Sequence, residues 1–294
     1  MYRRERLEKE RLVKELECVM QTMNRSLQLP PSLYIGASQL SAHPLGSILG
    51  HGSYGECTLE TFRGMTVTVK RFKHDGLDNR RVRHEVLKEA TALLHLKASN
   101  HLPYLIGASF DEIPYKLITS FHGIDFISTT ICSVLSGKTP QISEIDWKTV
   151  VEQVCKGLNE IHCCGFIHND LKYDNVIIEE TAGSINIVII DFGKSCRKGK
   201  AQKKTMSIAD QALYKERYPW VAPEVVAGTA TPSTASDVYS VGYLVRKILS
   251  AHKQRGLTLA NAVELKTIIQ KCTEVDVADR PSVPRILDLI DRVV

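Results

Sequence analysis

The sequence predicts an α+β protein, with a small β-rich lobe followed by a larger α-rich one. Two observations carry this. Segments 45–50, 56–62 and 65–72 are short, rich in Thr, Val and Ile, and separated by glycines at 52, 55 and 64, a pattern that reads as three antiparallel strands. Beyond about residue 125 the apolar residues recur mainly at helical spacing, interrupted by short apolar runs at 176–178 and 186–190. A run of strands followed by a run of helices is the α+β arrangement.

From the amino terminus, residues 3–28 contain no Gly or Pro and are rich in Glu, Arg, Lys and Leu. Leu12, Leu16, Val19, Met23 and Leu27 follow a 4-3-4-4 spacing that places them on one helix face, so residues 1–29 are expected to form an amphipathic helix. It is read as packing on its own domain. The alternative is a short coiled coil that takes a helical protein partner through residues 3–28. Pro30-Pro31 ends the helix, and residues 30–43 read as a linker. After the three strands, residues 78–97 read as a helix with Val82, Val86, Leu93 and Leu96 on its apolar side. Two more strand candidates, 104–109 and 115–121, are divided by Asp111-Glu112-Ile113-Pro114, and no internal repeat is present.

Composition narrows the class. With 43% hydrophobic and 24% charged residues, the 294-residue chain can bury a sizeable core, which excludes disorder as its main state. Its longest apolar runs, such as Ile187–Ile190, fall far short of the roughly 20 residues a membrane span needs. Residues 2–17 are dominated by Arg, Lys and Glu and do not resemble a signal peptide. A soluble intracellular protein is expected, cytoplasmic with the nucleus left open, and with no membrane partner. Eight cysteines at irregular spacing, Cys163 and Cys164 adjacent, fit neither a disulfide framework nor a zinc knuckle, so reduced thiols are expected. The net charge of +5 is mild, and nucleic acid is not an expected partner. Six bases nevertheless fall between Lys194 and Lys204 with no acid among them. That run reads as a solvated loop, or as a stretch that attracts acidic substrates or is masked by phosphate.

Chemistry-bearing residues begin at Gly50-His51-Gly52-Ser53-Tyr54-Gly55. A dinucleotide fingerprint would run from strand into helix; here strands flank both sides, so the loop is a hairpin. Glycine-bearing hairpins can lay backbone N–H groups over phosphates, because absent side chains permit close approach. Lys70, in Val67-Thr68-Val69-Lys70 on the third strand, needs a partner for its charge. Glu89 on the following helix can supply one, with Glu85 a turn away as the rival.

His168-Asn169-Asp170-Leu171-Lys172-Tyr173-Asp174-Asn175 is followed sixteen residues on by Asp191-Phe192-Gly193. Ala222-Pro223-Glu224, Asp237-Val238-Tyr239-Ser240 and Asp279-Arg280-Pro281 come after, in that order. These motifs resemble the eukaryotic protein kinase family over about residues 44–292. The resemblance implies a two-lobed kinase-like fold, ATP and Mg²⁺ as cofactors, and a protein substrate. It assigns Asp170 to the substrate hydroxyl, Lys172 to the neighbourhood of the γ-phosphate, and Lys70, oriented by Glu89, to the α- and β-phosphates. Asn175 and Asp191 are the implied Mg²⁺ ligands. Gly50, Gly52 and Gly55 would cover the triphosphate, while Cys57, Thr68, Thr119, Ser120, Phe121 and Ile177 would surround the adenine. Glu224 with Arg280 is an implied structural ion pair, and Asp237 an implied brace beneath the catalytic loop.

The chain departs from the family pattern in places. Asn169 replaces the Arg that commonly grips an activation-loop phosphate, which weakens switching by loop phosphorylation rather than catalysis. Thr68 and Cys57 stand where Ala and Val are usual over the adenine. Arg217 occupies a position where many Ser/Thr kinases carry Thr. Lys172 is a Ser/Thr habit, whereas Trp220 and Asp237–Ser240 lean toward the tyrosine-kinase-like branch, so Ser/Thr is the expected specificity with tyrosine left open. Thr205, Ser207 and Tyr214 are candidate phosphosites. An active kinase is the leading reading. The alternatives are a pseudokinase that serves as a binding or scaffolding module, and a small-molecule kinase.

Overall fold

The computed structural model describes residues 27–46, 48–52, 55–96, 99–138, 145–181, 184–203 and 205–291. Their fold is α+β, an antiparallel sheet followed by a largely helical region. The described residues divide into two compact units, one within Met1–Thr91 and Leu105–Thr119, the other within Ala92–Tyr104 and Ser120–Val294.

The first unit is built on strands β1 (Leu40–Ala42), β2 (Ile48–Gly52), β3 (Gly55–Phe62), β4 (Met65–Phe72), β5 (Leu105–Ser109) and β6 (Lys116–Ser120), with helix α1 (Asn79–His95) between β4 and β5. The sheet order is β1-β3-β4-β6-β5, and β2 pairs with β3. Alternation in β4 buries Val67 and Val69 on one face, where they pack with Phe62, Ile118 and Ile35. Each such side chain contributes about 1.5–3 kcal/mol when fully buried.

Ile35 corrects the expectation of a linker. Residues 30–43 hold two short 3₁₀ turns, Pro31–Leu33 and Ala37–Gln39, and then β1, whose Leu40 pairs with Phe62. The Ile35 N–H donates to the Ala108 carbonyl at 2.9 Å. Gly107 permits this approach, since a Cβ there would lie 2.5 Å from the Leu33 carbonyl oxygen. Asp111 completes the tie by accepting from Ser109 Oγ and the Ala37 N–H, hydrogen bonds that hold its carboxyl below its ordinary pKa. Apolar residues that bury on the sheet make this segment part of the domain. The expected helix over 1–29 lies outside the described residues as far as position 26; Leu27–Pro30 is not helical, and Leu29 is buried. The first long strand begins at Ile48 rather than 45, because the Gly46 N–H closes a turn onto His43 and Gly46 has φ +48°.

The second unit opens with α2 (Ile131–Leu135) and α3 (Trp147–Cys163). Asp146 caps α3, and Val150, Val154, Leu158 and Ile161 form its buried stripe. Short strands follow: β7 (Phe166–Ile167), β8 (Val176–Thr181), β9 (Ser184–Ile189) and β10 (Cys196–Arg197). The remaining helices are α4 (Ile208–Arg217), α5 (Pro223–Val226), α6 (Thr234–Gln254), α7 (Ala262–Cys272) and α8 (Val283–Asp291). Helix α3 packs on α8 and β9. No helix among the described residues is long and apolar enough to cross a membrane. All seven described cysteines are free, and burial pushes the Cys272 thiol up to about 12.

Candidate active site

In the first unit the glycine-bearing hairpin pairs Gly50 with Cys57 and Gly52 with Gly55; Ser53 and Tyr54 lie outside the described residues. The glycines differ in what they permit. A Cβ on Gly55 would lie 1.8 Å from the Arg71 carbonyl oxygen, so glycine is required there by the neighbouring strand, whereas a Cβ on Gly50 would meet open space. Register places Cys57 opposite Lys70 and Leu59 opposite Thr68. These four side chains therefore share one face of the sheet. Lys70 Nζ lies 2.8 and 3.0 Å from the two carboxylate oxygens of Glu89, a nearly buried ion pair. Of the two glutamates on α1, Glu89 is the one that holds the lysine. Thr119 pairs with Leu105 at the end of β6.

The second unit holds the loop between β7 and β8. Asp237, at the start of α6, is fully buried and fastens this loop. Its Oδ1 accepts from the Asn169 N–H at 2.8 Å, and its Oδ2 accepts from the His168 N–H and from His162 Nε2. The His168 ring stacks edge-on against Phe192 and accepts the Asp170 N–H at Nδ1, so its proton is on Nε2, which donates to the Ile190 carbonyl.

Asp170 is buried on this braced loop. Asn175 Nδ2 donates to the Asp170 carbonyl at 2.9 Å, which leaves the amide oxygen of Asn175 as its acceptor end. The Ile190 N–H donates to the Asn175 carbonyl, so the β8–β9 ladder sets Asn175 across from Ile190, the residue before Asp191. Asp191 has φ +65°, a left-handed conformation that aspartate tolerates better than most residues. An amide oxygen and a carboxylate brought to one end of a ladder are hard donors suited to Mg²⁺, which keeps several of its own waters. Among the described residues no cluster of three or more His, Cys, Asp or Glu is arranged for a metal.

Ser120 is fastened within the second unit: it exchanges hydrogen bonds with Tyr104 and its Oγ meets His122 Nε2 at 2.9 Å. Phe121 is half-buried, and Ile177 is buried in β8 opposite Val188. Lys172 Nζ lies 4.8 Å from the centre of the Trp220 ring.

Two contacts escaped the sequence reading. Trp220 Nε1 donates to Asp170 Oδ1 at 2.8 Å, and Lys194 Nζ meets the same oxygen at 3.0 Å. Trp220 stood out in the sequence only as a branch marker, and Lys194 only as one base in a run. Arg217 stacks on Tyr218. Asn169, with φ +62°, turns its Nδ2 to the Lys194 carbonyl at 3.2 Å.

The sequence matches the protein kinase domain family over residues 44–256. A probable serine/threonine-protein kinase of Dictyostelium discoideum is 26% identical over 96% of this chain and 31% of its own length. A second probable serine/threonine-protein kinase of that organism is 29% identical over 69% of this chain and 26% of its own. A tyrosine-protein kinase of Caenorhabditis elegans is 26% identical over 70% of this chain and 35% of its own. The chain thus spans about a third or less of the length of these relatives. The match runs over well over half of the chain, from the glycine hairpin through Lys70 and Asp170 to the end of α6, and the chain belongs to the protein kinase family.

Proposed function

We propose that this chain transfers the γ-phosphate of ATP to a Ser or Thr hydroxyl of a protein substrate, through a catalytic domain spanning residues 44–292. The Lys70–Glu89 ion pair carries the reading: a nearly buried lysine held by both carboxylate oxygens is pre-oriented for a polyphosphate. Lys70 holds the α- and β-phosphates. Gly50, with open space at its Cβ position, lets the hairpin backbone approach the triphosphate. Asp191 and the amide oxygen of Asn175 hold Mg²⁺, which when bound neutralises phosphate charge. Asp170 takes the proton of the acceptor hydroxyl. Lys172, two residues on, and the serine/threonine relatives support Ser/Thr specificity. The free cysteines fit a reducing, intracellular setting. The test is γ-phosphate transfer from Mg²⁺-ATP to a degenerate array of Ser, Thr and Tyr peptides, with Asp191→Asn as control. Transfer that Asp191→Asn abolishes supports the reading, and no transfer to any peptide overturns it.

Thr68 favours a second reading, the pseudokinase. Its hydroxyl shares a sheet face with Lys70 and has no hydrogen-bond partner among the described residues. An adenine face cannot satisfy it either. Thr68→Ala is therefore expected to tighten ATP binding by about 0.5–1.5 kcal/mol, measured by calorimetric titration. Cys57 on the same face should be alkylated more slowly when ATP is present, read against the exposed Cys163 as internal reference. Unchanged affinity together with nucleotide-independent labelling would remove both residues from the adenine contact.

Regulation follows from Asn169. Its amide is engaged with the Lys194 carbonyl, and it lacks the bidentate fork that an Arg offers a phosphate. Phosphatase treatment of purified protein is expected to change its specific activity less than about twofold, against the tens- to hundreds-fold expected when a phosphate orders the loop through charge-assisted bonds. A large loss restored by rephosphorylation at Thr205, Ser207 or Tyr214 would overturn this.

A further inference from the structure

Both side-chain donors to the Asp170 carboxylate, among the described residues, fall on a single oxygen. Lys194 Nζ and Trp220 Nε1 reach Oδ1 at 3.0 and 2.8 Å. Each donor is itself fixed. The Lys194 carbonyl accepts from Asn169 Nδ2, and its ammonium also lies over the Tyr218 ring at 5.3 Å. The Trp220 carbonyl accepts from Ser240 Oγ at 2.8 Å, and its ring packs edge-on against Tyr218. The position usually filled by a hydroxyl-bearing Thr carries Arg217, which turns to Tyr218 instead.

We propose that Lys194 and Trp220 are positioning residues that lock Asp170 through Oδ1 and so present Oδ2 as the proton acceptor. The proposal rests on the phosphoryl-transfer reading above. In the step it serves, the acceptor hydroxyl gives its proton to Asp170 Oδ2 while its oxygen bonds to the γ-phosphorus. The bond from that phosphorus to the β-bridging oxygen breaks, and ADP leaves with the electron pair. A carboxylate free to rotate would offer either oxygen in many orientations. Two donors on one oxygen, one of them cationic, remove that freedom before the substrate arrives. Asn169 acts one step further back. By holding the Lys194 backbone it places within the chain a cation that needs no phosphate to position it.

The test uses the full chain with Lys194→Met, Lys194→Arg and Trp220→Phe. The last keeps an aromatic face for Lys172 while removing the indole N–H donor. Lys194→Met and Trp220→Phe should each lower kcat by about tenfold or more, the scale of one charge-assisted hydrogen bond, with KM for ATP within about twofold of the parent. Lys194→Arg should restore most of the loss. Unchanged or increased kcat in Lys194→Met, or no rescue by arginine, overturns the proposal. A second readout does not need turnover. The chain has two tryptophans, Trp147 and Trp220, so ¹⁵N-labelled protein gives two indole N–H signals, and Trp220→Phe identifies which belongs to Trp220. That signal should move in Lys194→Met and in Asp170→Asn while the Trp147 signal stays, which also reports an intact fold. If the parent transfers no phosphate, the kinase reading fails, and a Trp220 signal unmoved by both substitutions overturns the lock itself.

Discussion

Asp170→Asn is expected to lower phosphate transfer by about 100- to 10,000-fold while ATP binding stays close to that of the parent. The size is that of losing a positioned general base. Asparagine preserves the shape of aspartate, and its single oxygen can still accept from Trp220 Nε1 and Lys194 Nζ where Oδ1 does now. The NH₂ group then takes the place of Oδ2, and its lone pair, delocalised into the carbonyl, takes no proton. The loop remains fastened, because Asp237 holds it through the backbone N–H groups of His168 and Asn169, which the substitution does not touch. The Lys70–Glu89 ion pair, proposed above to hold the phosphates, is likewise untouched. The measurement pairs initial rates under saturating Mg²⁺-ATP with calorimetric ATP titration of the same sample. Turnover equal to the parent would sink the phosphoryl-transfer reading. A parallel loss of ATP affinity would instead place Asp170 among the nucleotide contacts.

What the sequence made legible depended on how local the physics is. Alternation of Val67 and Val69 in β4 sends Lys70 to the opposite face, so its place on that face followed from strand periodicity alone. The helix bearing Glu89 was legible for the same reason, its apolar positions recurring at helical spacing. Segment 30–43 was not. Ile35 and Leu40 bury on the sheet one at a time, within a stretch of turns and a three-residue strand, and single apolar residues have no period. The Asp170 donors were hidden differently. Trp220 is 50 residues from Asp170 and Lys194 is 24, and neither gap corresponds to a helix or strand repeat. Only the path of the chain from β10 through α4 brings them to one carboxylate. Lys194 was further masked by composition. In a basic run it resembled its neighbours, yet Lys198, Lys200 and Lys203 are exposed while Lys194 is engaged with Asp170.

The largest expected effect on stability belongs to Arg280→Met. The Arg280 side chain has 0% exposure, and its guanidinium meets Glu224 through two parallel contacts of 2.7 and 2.8 Å. Its Nε donates to the Glu274 carbonyl and its Nη1 to the Ala235 carbonyl, and the group lies over the Tyr239 ring. One side chain thus joins α5, the first turn of α6 and the segment after α7. Methionine fills much of the volume but leaves the Glu224 carboxylate, with only 10% of its side chain exposed, without its cation. Removing one member of a buried pair costs about 3–5 kcal/mol, a large share of the 5–15 kcal/mol that typically holds a domain together. The melting temperature should fall by about 6–20 °C, given about 2–4 °C per kcal/mol for a unit of this size. Arg280→Lys keeps the charge and loses the fork, so its loss should be smaller. The double substitution Glu224→Gln with Arg280→Met should cost less than the two single losses added, because no uncompensated charge is left. Urea and thermal unfolding of the parent, Arg280→Met, Arg280→Lys, Glu224→Gln and the double variant measure the four differences. Arg280→Met within 1 kcal/mol of the parent, a threshold set by the roughly 0–1 kcal/mol worth of a solvated ion pair, would mean that this pair is no staple. Transfer activity should track the same series. Helix α5 begins three residues after Trp220, so loosening it should weaken the hold of the indole on the Asp170 carboxylate.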